Sequence, residues 1–250
     1  MNGAIGNVKT IAGRELYSYF ATPIAYVFTV IFLLLAGAFM FIEQLGAFFL
    51  MGQAQLNDSF FRFHPWLYMV LVPAVGMRLW SEEKRGGTVE LLFTLPTTPI
   101  QAIIAKYVAG LVFLFLALVL TFPAVITVNY LGEPDMGVII SGYVGSFLVA
   151  ASFLAVSSLI SALTRSQVVA FIISMVLCFC LILAGLQPLI KFFEASLPGW
   201  VLDMVASFSV LTHYSSIQRG VIDSRDVLYF LSLIGFALFG TTLVLNNRRA

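Results

Sequence analysis

An all-α, polytopic membrane protein with six transmembrane helices is the fold that the sequence predicts, and three observations predict it. The first is composition. Of 250 residues, 60% are hydrophobic and only 10% are charged, against about 25% charged in a soluble domain. Mean hydropathy is +1.01. The 24 Phe are too many to hide in a water-soluble core of this size while the surface stays polar. The second is a series of apolar runs, all but one near the roughly 20 residues needed to cross about 30 Å of hydrocarbon. The third is where the charges fall. The formal net charge of +1 carries no bulk signal for nucleic acid.

The spans fall at about 23–43, 60–80, 100–130, 138–163, 167–187 and 226–246. The first opens at Pro23, whose missing N–H costs nothing in a first helical turn. The second is ambiguous, because the apolar run 66–77 is too short to span unaided. Phe60, Phe61 and Phe63 extend it past Arg62 and His64, and Leu79 and Trp80 extend it the other way. Charge settles the matter. With six spans and both termini cytoplasmic, nine cations lie inside: Lys9, Arg14, Arg78, Lys84, Arg85, Lys106, Arg165, Arg248 and Arg249. Four lie outside: Arg62, Lys191, Arg219 and Arg225. That split follows the positive-inside rule. Without the second span it becomes eight against five, and Arg248 and Arg249 part from Lys9 and Arg14. Counting the acids leaves +5 inside and −4 outside.

Residues 8–21 do not read as a cleavable signal peptide, which has a basic start, a short apolar core and a small-residue cleavage site. Val8, Ile11, Ala12, Leu16, Tyr19 and Phe20 recur at helical spacing, with Lys9, Arg14 and Ser18 between them. Two readings stand: a helix lying in the membrane interface, or an ordinary amphipathic lead-in. No aqueous segment is long enough to build its own core, so any enzymatic engine is expected in the membrane or in another polypeptide.

Chemistry inside the bilayer finds little support. Mid-membrane charges usually mark an ion or substrate path; here Glu43, Arg78 and Lys106 fall at span ends, where snorkelling is cheap. That weighs against an ion-coupled secondary transporter. His64 and His213 belong to no cluster at metal-ligand spacing and read as interfacial polar residues, so no metal is expected. Cys178 and Cys180, two apart on one helix, point to different faces and read as buried apolar cysteines rather than a redox pair. Ser141, Ser146, Ser152, Ser157, Ser158 and Ser161 crowd one span. Close helix packing explains them better than nucleophilic chemistry, with a polar path lining as a middle reading. No nucleophile elbow and no Walker motif appears. The chain is expected to be non-catalytic and to bind no cofactor itself.

Residues 81–99 are the most informative. The charged group Glu82, Glu83, Lys84 and Arg85 leaves the membrane, and Gly86 and Gly87 permit a sharp turn. Thr88 suits a helix cap, with Glu90 in the positive first turn. Leu91, Leu92 and Leu95 make an apolar ridge before Pro96 breaks the helix. So short a helix persists only when packed. Its charged front and leucine ridge suit a groove on a soluble partner; the plainer reading is a connector whose leucines dip into the interface.

The pattern Glu-x-x-x-Gly-Thr-x-Glu-Leu-Leu-x-x-x-Pro, met by Glu83, Gly87, Thr88, Glu90, Leu91, Leu92 and Pro96, resembles the permease subunits of type-two ABC exporters. Trp80-Ser81-Glu82-Glu83 before it and Lys106 after it also fit. The opening Arg14-Glu15-Leu16-x-x-Tyr19-Phe20-x-x-Pro23 is similar to the gliding-motility-type branch. The likeness covers essentially the whole chain and is silent on substrate. It implies a single permease domain over 1–250 in a bacterial inner membrane. Residues 82–95 would be the coupling helix docking on a separate cytoplasmic ABC ATPase dimer, which would bind the ATP and magnesium. Arg14 and Glu15 would add secondary contacts, and Arg165 would lie near a second one. A second permease copy or similar chain and an auxiliary membrane or periplasmic protein are the other implied partners. Residues 188–225, with Phe192, Phe193, Pro198 and Trp200, resemble an outer re-entrant hairpin that closes the exit side. The competing function is a scaffold that passes ATPase work to a periplasmic or auxiliary partner and moves no substrate.

Overall fold

The computed structural model describes residues 2–42, 55–87, 98–194 and 198–246, and among them every regular element is a helix. Helix α1 (Asn2–Ala21) is followed by α2 (Pro23–Phe41) at an angle of 72°. The bend has a local cause. A residue before proline is driven to extended backbone, and Thr22 takes φ −111° and ψ 148°. Its hydroxyl donates to the Tyr19 carbonyl, 3.0 Å away.

A short 3-10 turn (Phe61–Phe63) leads into α3 (His64–Gly76), and α4 (Arg78–Gly86) continues it. Met77 between them keeps right-handed helical angles, so the chain stays helical from the apolar stretch through the charged group as far as Gly86. The charged group Glu82 to Arg85 thus sits on a helix that ends at Gly86. Helix α5 (Pro99–Val119) begins at a reciprocal cap: Thr98 Oγ1 accepts from the Gln101 N–H, and Gln101 Oε1 accepts from the Thr98 N–H. It breaks at Leu120 and Thr121, and α6 (Phe122–Leu131) resumes with Pro123 in its first turn. Proline cannot supply a helical N–H and clashes with the turn before it, so the helix is interrupted within the stretch Pro99–Leu131, which still counts as one candidate span. The Thr121 hydroxyl donates to the Leu118 carbonyl (2.6 Å) and lies 3.0 Å from the Tyr143 hydroxyl.

Helix α7 (Met136–Leu163) starts at Asp135, whose carboxylate accepts from the Gly137 and Val138 N–H groups. Helix α8 (Gln167–Leu183) follows a turn capped by Ser166. Three short helices come next: α9 (Gln187–Glu194), α10 (Gly199–Ser207) and α11 (Val210–Gln218). Then comes α12 (Ser224–Asn246). Just before it, the exposed Asp223 carboxylate accepts from the Arg225 N–H and the Ser224 hydroxyl. These bonds hold its carboxyl below the ordinary value, the Arg225 N–H being the larger cause.

Among the described residues, three stretches can cross a membrane by length and composition: Pro99–Leu131, Met136–Leu163 and Ser224–Asn246. The bent pair of α1 and α2 makes a fourth if it is one span. Helix α8, at 17 residues, is apolar but shorter.

Helix α7 is the centre of the packing and touches α3, α4, α5, α8, α11 and α12. All six of its named serines are buried. Ser141, Ser152 and Ser157 donate to carbonyls of α7 itself, whereas Ser146, Ser158 and Ser161 reach across to α3 and α4. Small side chains let the backbones close up. At the tightest point a Cβ added to Gly76 would stand 2.3 Å from the Ser157 Cβ. Gly76→Ala is therefore expected to push α3 off α7 and lower stability by about 1–3 kcal/mol. Thermal unfolding in detergent reads this, with Gly37→Ala as control, since a Cβ there meets nothing within 4 Å.

Two side-chain expectations change. His64 is not interfacial but fully buried, with Nδ1 2.7 Å from the Ser146 hydroxyl, which also lies 2.8 Å from the Tyr68 hydroxyl. The partner across the helix contact satisfies one ring nitrogen, while Nε2 is buried with no partner among the described residues. Cys178 and Cys180 do face different ways, but only Cys178 is buried; Cys180 is exposed.

Candidate functional site

Helix α4 has two unlike faces. Leu79, Trp80 and Ser81 are buried, and charge fills the remainder. Arg78 and Glu82 pair one turn apart, Nε to Oε2 at 2.9 Å. Lys84 and Arg85 occupy the last turn, where cations suit the carbonyl end of the helix. The helix stops at Gly87 in left-handed backbone, φ 67°, and the Gly87 N–H donates to the Glu83 carbonyl. A Cβ disfavours that conformation, so glycine at this position turns the chain out of the helix.

The charged turn is tied back into the bundle at three points. The Lys84 ammonium donates to the Ala162 carbonyl near the end of α7. The Ser161 hydroxyl accepts from the N–H groups of both Trp80 and Ser81 at 3.0 Å and donates to the Met77 carbonyl at 2.8 Å. The Trp80 indole N–H donates to the Ser158 hydroxyl at 3.1 Å. One seryl pair, three residues apart on one face of α7, thus fixes the start of α4.

The third tie is Lys106 on α5. Its ammonium lies 2.9 Å from Glu83 Oε1 and 3.1 Å from Glu15 Oε1, so one cation bridges α1, α4 and α5. It also stands over the Trp80 ring, 5.4 Å from its centre. The side chain is only 3% exposed. Lys106 therefore does not snorkel from a span end as the sequence suggests; two carboxylates and an aromatic face compensate it where it is. Arg14, largely exposed, adds a looser contact to Glu15 at 3.4 Å.

The predicted coupling residues thus divide. Glu15, Glu83 and Lys84 join the network, while Glu82 pairs with Arg78 beside it. Arg14 and Arg85 face outward. Arg165 is exposed in the turn between α7 and α8, three residues beyond Ala162. Thr88, Glu90, Leu91 and Leu92 lie outside the described residues. The bridging role of Lys106 and the parts of Trp80, Ser158 and Ser161 were missed from sequence. The only local signal was two serines at helical spacing opposite a tryptophan about 80 residues earlier.

A second group of contacts sits around α9, α10 and α11. Phe192 and Trp200 are strongly exposed, Phe193 belongs to α9, and Pro198 precedes α10 in extended backbone. The Tyr214 hydroxyl donates to the Phe61 carbonyl at 2.8 Å, and the Gln218 amide donates to the Asn57 carbonyl, tying α11 to the chain before α3. His213 is no lone interfacial residue. Its Nδ1 lies 2.7 Å from Asp226 Oδ1 on α12, its Nε2 lies 3.0 Å from the Ser207 carbonyl, and its ring stacks on Tyr229.

Apolar helices built around one central helix, with charge gathered and braced at the end of α4, make this a helical membrane protein. The family model for ABC-2 family transporter protein matches residues 17–218, and the chain belongs to that family. No curated protein matches it. Membership makes the chain a membrane permease component of an ABC transporter rather than a catalytic one, and it implies an ABC ATPase as the working partner.

Proposed function

We propose that this chain is the permease subunit of an ATP-driven exporter of a bacterial inner membrane, and that the bridged end of α4 receives the stroke of a separate ATPase dimer. The single observation that carries this reading is the Lys106 bridge. A push on residues 82–95 from the cytoplasm reaches α5 through Glu83 and Lys106, α1 through Glu15, and α7 through Trp80, Lys84 and the serines. The six spans are then α2, α3 with α4, α5 with α6, α7, α8 and α12. Helix on both sides of Met77 supports the second of these, a span over about 60–80 that leaves Glu82 to Arg85 at its cytoplasmic end. Two permease chains face two ATPase subunits. ATP closes the ATPases and biases a two-state bundle, and α9, α10 and α11 gate the exit on the outer side, where an auxiliary protein meets them.

Two substitutions separate docking from transmission. Leu91→Asp is expected to reduce co-purification of the ATPase at least tenfold while membrane insertion stays normal. Glu83→Gln is expected to leave co-purification intact yet remove transport-linked stimulation of ATP hydrolysis in liposomes. Undiminished co-purification with Leu91→Asp overturns docking there. ATP hydrolysis that answers to an outer partner but to no substrate favours the scaffold reading instead.

A further inference from the structure

We propose that the groove between α1 and α5 is a binding site for an anionic phospholipid of the leaflet in which α1 lies. The groove is open along one side and offers about 370 Å³, at the lower end of the roughly 300–1,000 Å³ typical of small-ligand sites. Leu16, Val108 and Val112 give it branched apolar walls, and Ala12, Gly13 and Ala109 leave the space between them unfilled. A Cβ built on Gly13 meets nothing within 4 Å.

The helices do not collapse into this space because they are pinned beside it. Tyr19 stacks on Phe113 with ring centres 5.5 Å apart, and Glu15 holds Lys106 at 3.1 Å. The same pins set the charge. With Glu15 engaged by Lys106, no carboxylate among the described residues pairs with Lys9, which is exposed at the rim of the groove. A bed for a hydrocarbon chain with a cation at its mouth matches an amphiphile with an anionic head. A basic residue near an anionic membrane surface favours such lipids by about fivefold.

The site goes beyond the transport reading and requires only that α1 lies in the bilayer surface. It makes the lipid a resident part of the α1–α5 joint, distinct from any cargo.

The test uses the full chain in detergent, mixed with equal amounts of phosphatidylglycerol and phosphatidylcholine of identical acyl chains and read by native mass spectrometry. The expected result is retention of phosphatidylglycerol about fivefold over phosphatidylcholine. Lys9→Gln brings the two to near parity, since it removes the cation and leaves the bed. Gly13→Leu, which fills the bed and raises helix propensity, reduces retention of both. Equal retention of the two lipids by the unaltered chain overturns the proposal. So does retention that neither substitution changes. Loss of a dimer signal with Gly13→Leu at unchanged lipid retention also overturns it and assigns the groove to a second copy of the chain.

Discussion

Lys106→Met is expected to be among the most damaging single substitutions in this protein, costing about 3–5 kcal/mol. The ammonium is 3% exposed and accepted by two carboxylates from different helices. Methionine nearly matches its volume, so little packing is lost. What remains is Glu15 and Glu83 without the cation they share, Glu15 keeping its looser contact to Arg14, in a site largely closed to water. A removed partner costs more than a removed pair, because the stranded charge keeps its desolvation penalty. The triple substitution Glu15→Gln, Glu83→Gln, Lys106→Met should therefore recover most of the loss. Lys106→Arg should not substitute freely, since a planar fork presents its donors differently from a compact ammonium. The midpoint of thermal unfolding in detergent, measured on all of these variants, checks the argument. A Lys106→Met midpoint equal to the unaltered chain would show that the bridge contributes nothing.

Trp80→Ala is expected to be comparably severe, again about 3–5 kcal/mol. The indole is fully buried, donates to Ser158 at 3.1 Å and lies under the Lys106 ammonium. Alanine opens a cavity between α4, α5 and α7, leaves the Ser158 hydroxyl without that donor and removes the aromatic face from Lys106. Trp80→Phe keeps most of the volume and loses the N–H, so a cost of about 1 kcal/mol is expected. Trp200 provides the control. It is 70% exposed, and its replacement by alanine should shift stability by no more than about 0.5 kcal/mol. An unfolding series that ranks Trp80→Ala beside Trp200→Ala would contradict the packing described here.

Much of the helical layout was legible because membrane helices announce themselves by composition. Helices α2, α7, α8 and α12 begin and end close to the apolar runs, and Pro23 marks a first turn as its chemistry requires. The charged turn was legible too, because charge is scarce enough for one cluster to stand out. What the sequence hid is the pairing across helices. Nothing local to Lys106 shows that Glu15, far back in the chain, and Glu83 converge on it. A lysine near a span end reads as one free to reach water. Likewise His64 looks interfacial until Ser146 on α7 supplies its partner. The break at Leu120 and Thr121 was signalled by Pro123 but masked by unbroken hydrophobicity, which reports solvent preference and not backbone continuity. The leucine ridge at 91–95 lies outside the described residues, so its docking role rests on the resemblance and on the braced helix that leads to it.

The position of α7 has a consequence for how this molecule can move. Six other helices lean on one central rod through small, close-fitting side chains. Such a surface has few slack settings: a helix that shifts against it must climb out of one set of notches and drop into another. Neighbours that share the rod cannot do so independently. Displacing α4 disturbs the same face of α7 that holds α3, so the bundle is expected to switch between discrete postures, like a pin-tumbler lock, rather than bend by degrees.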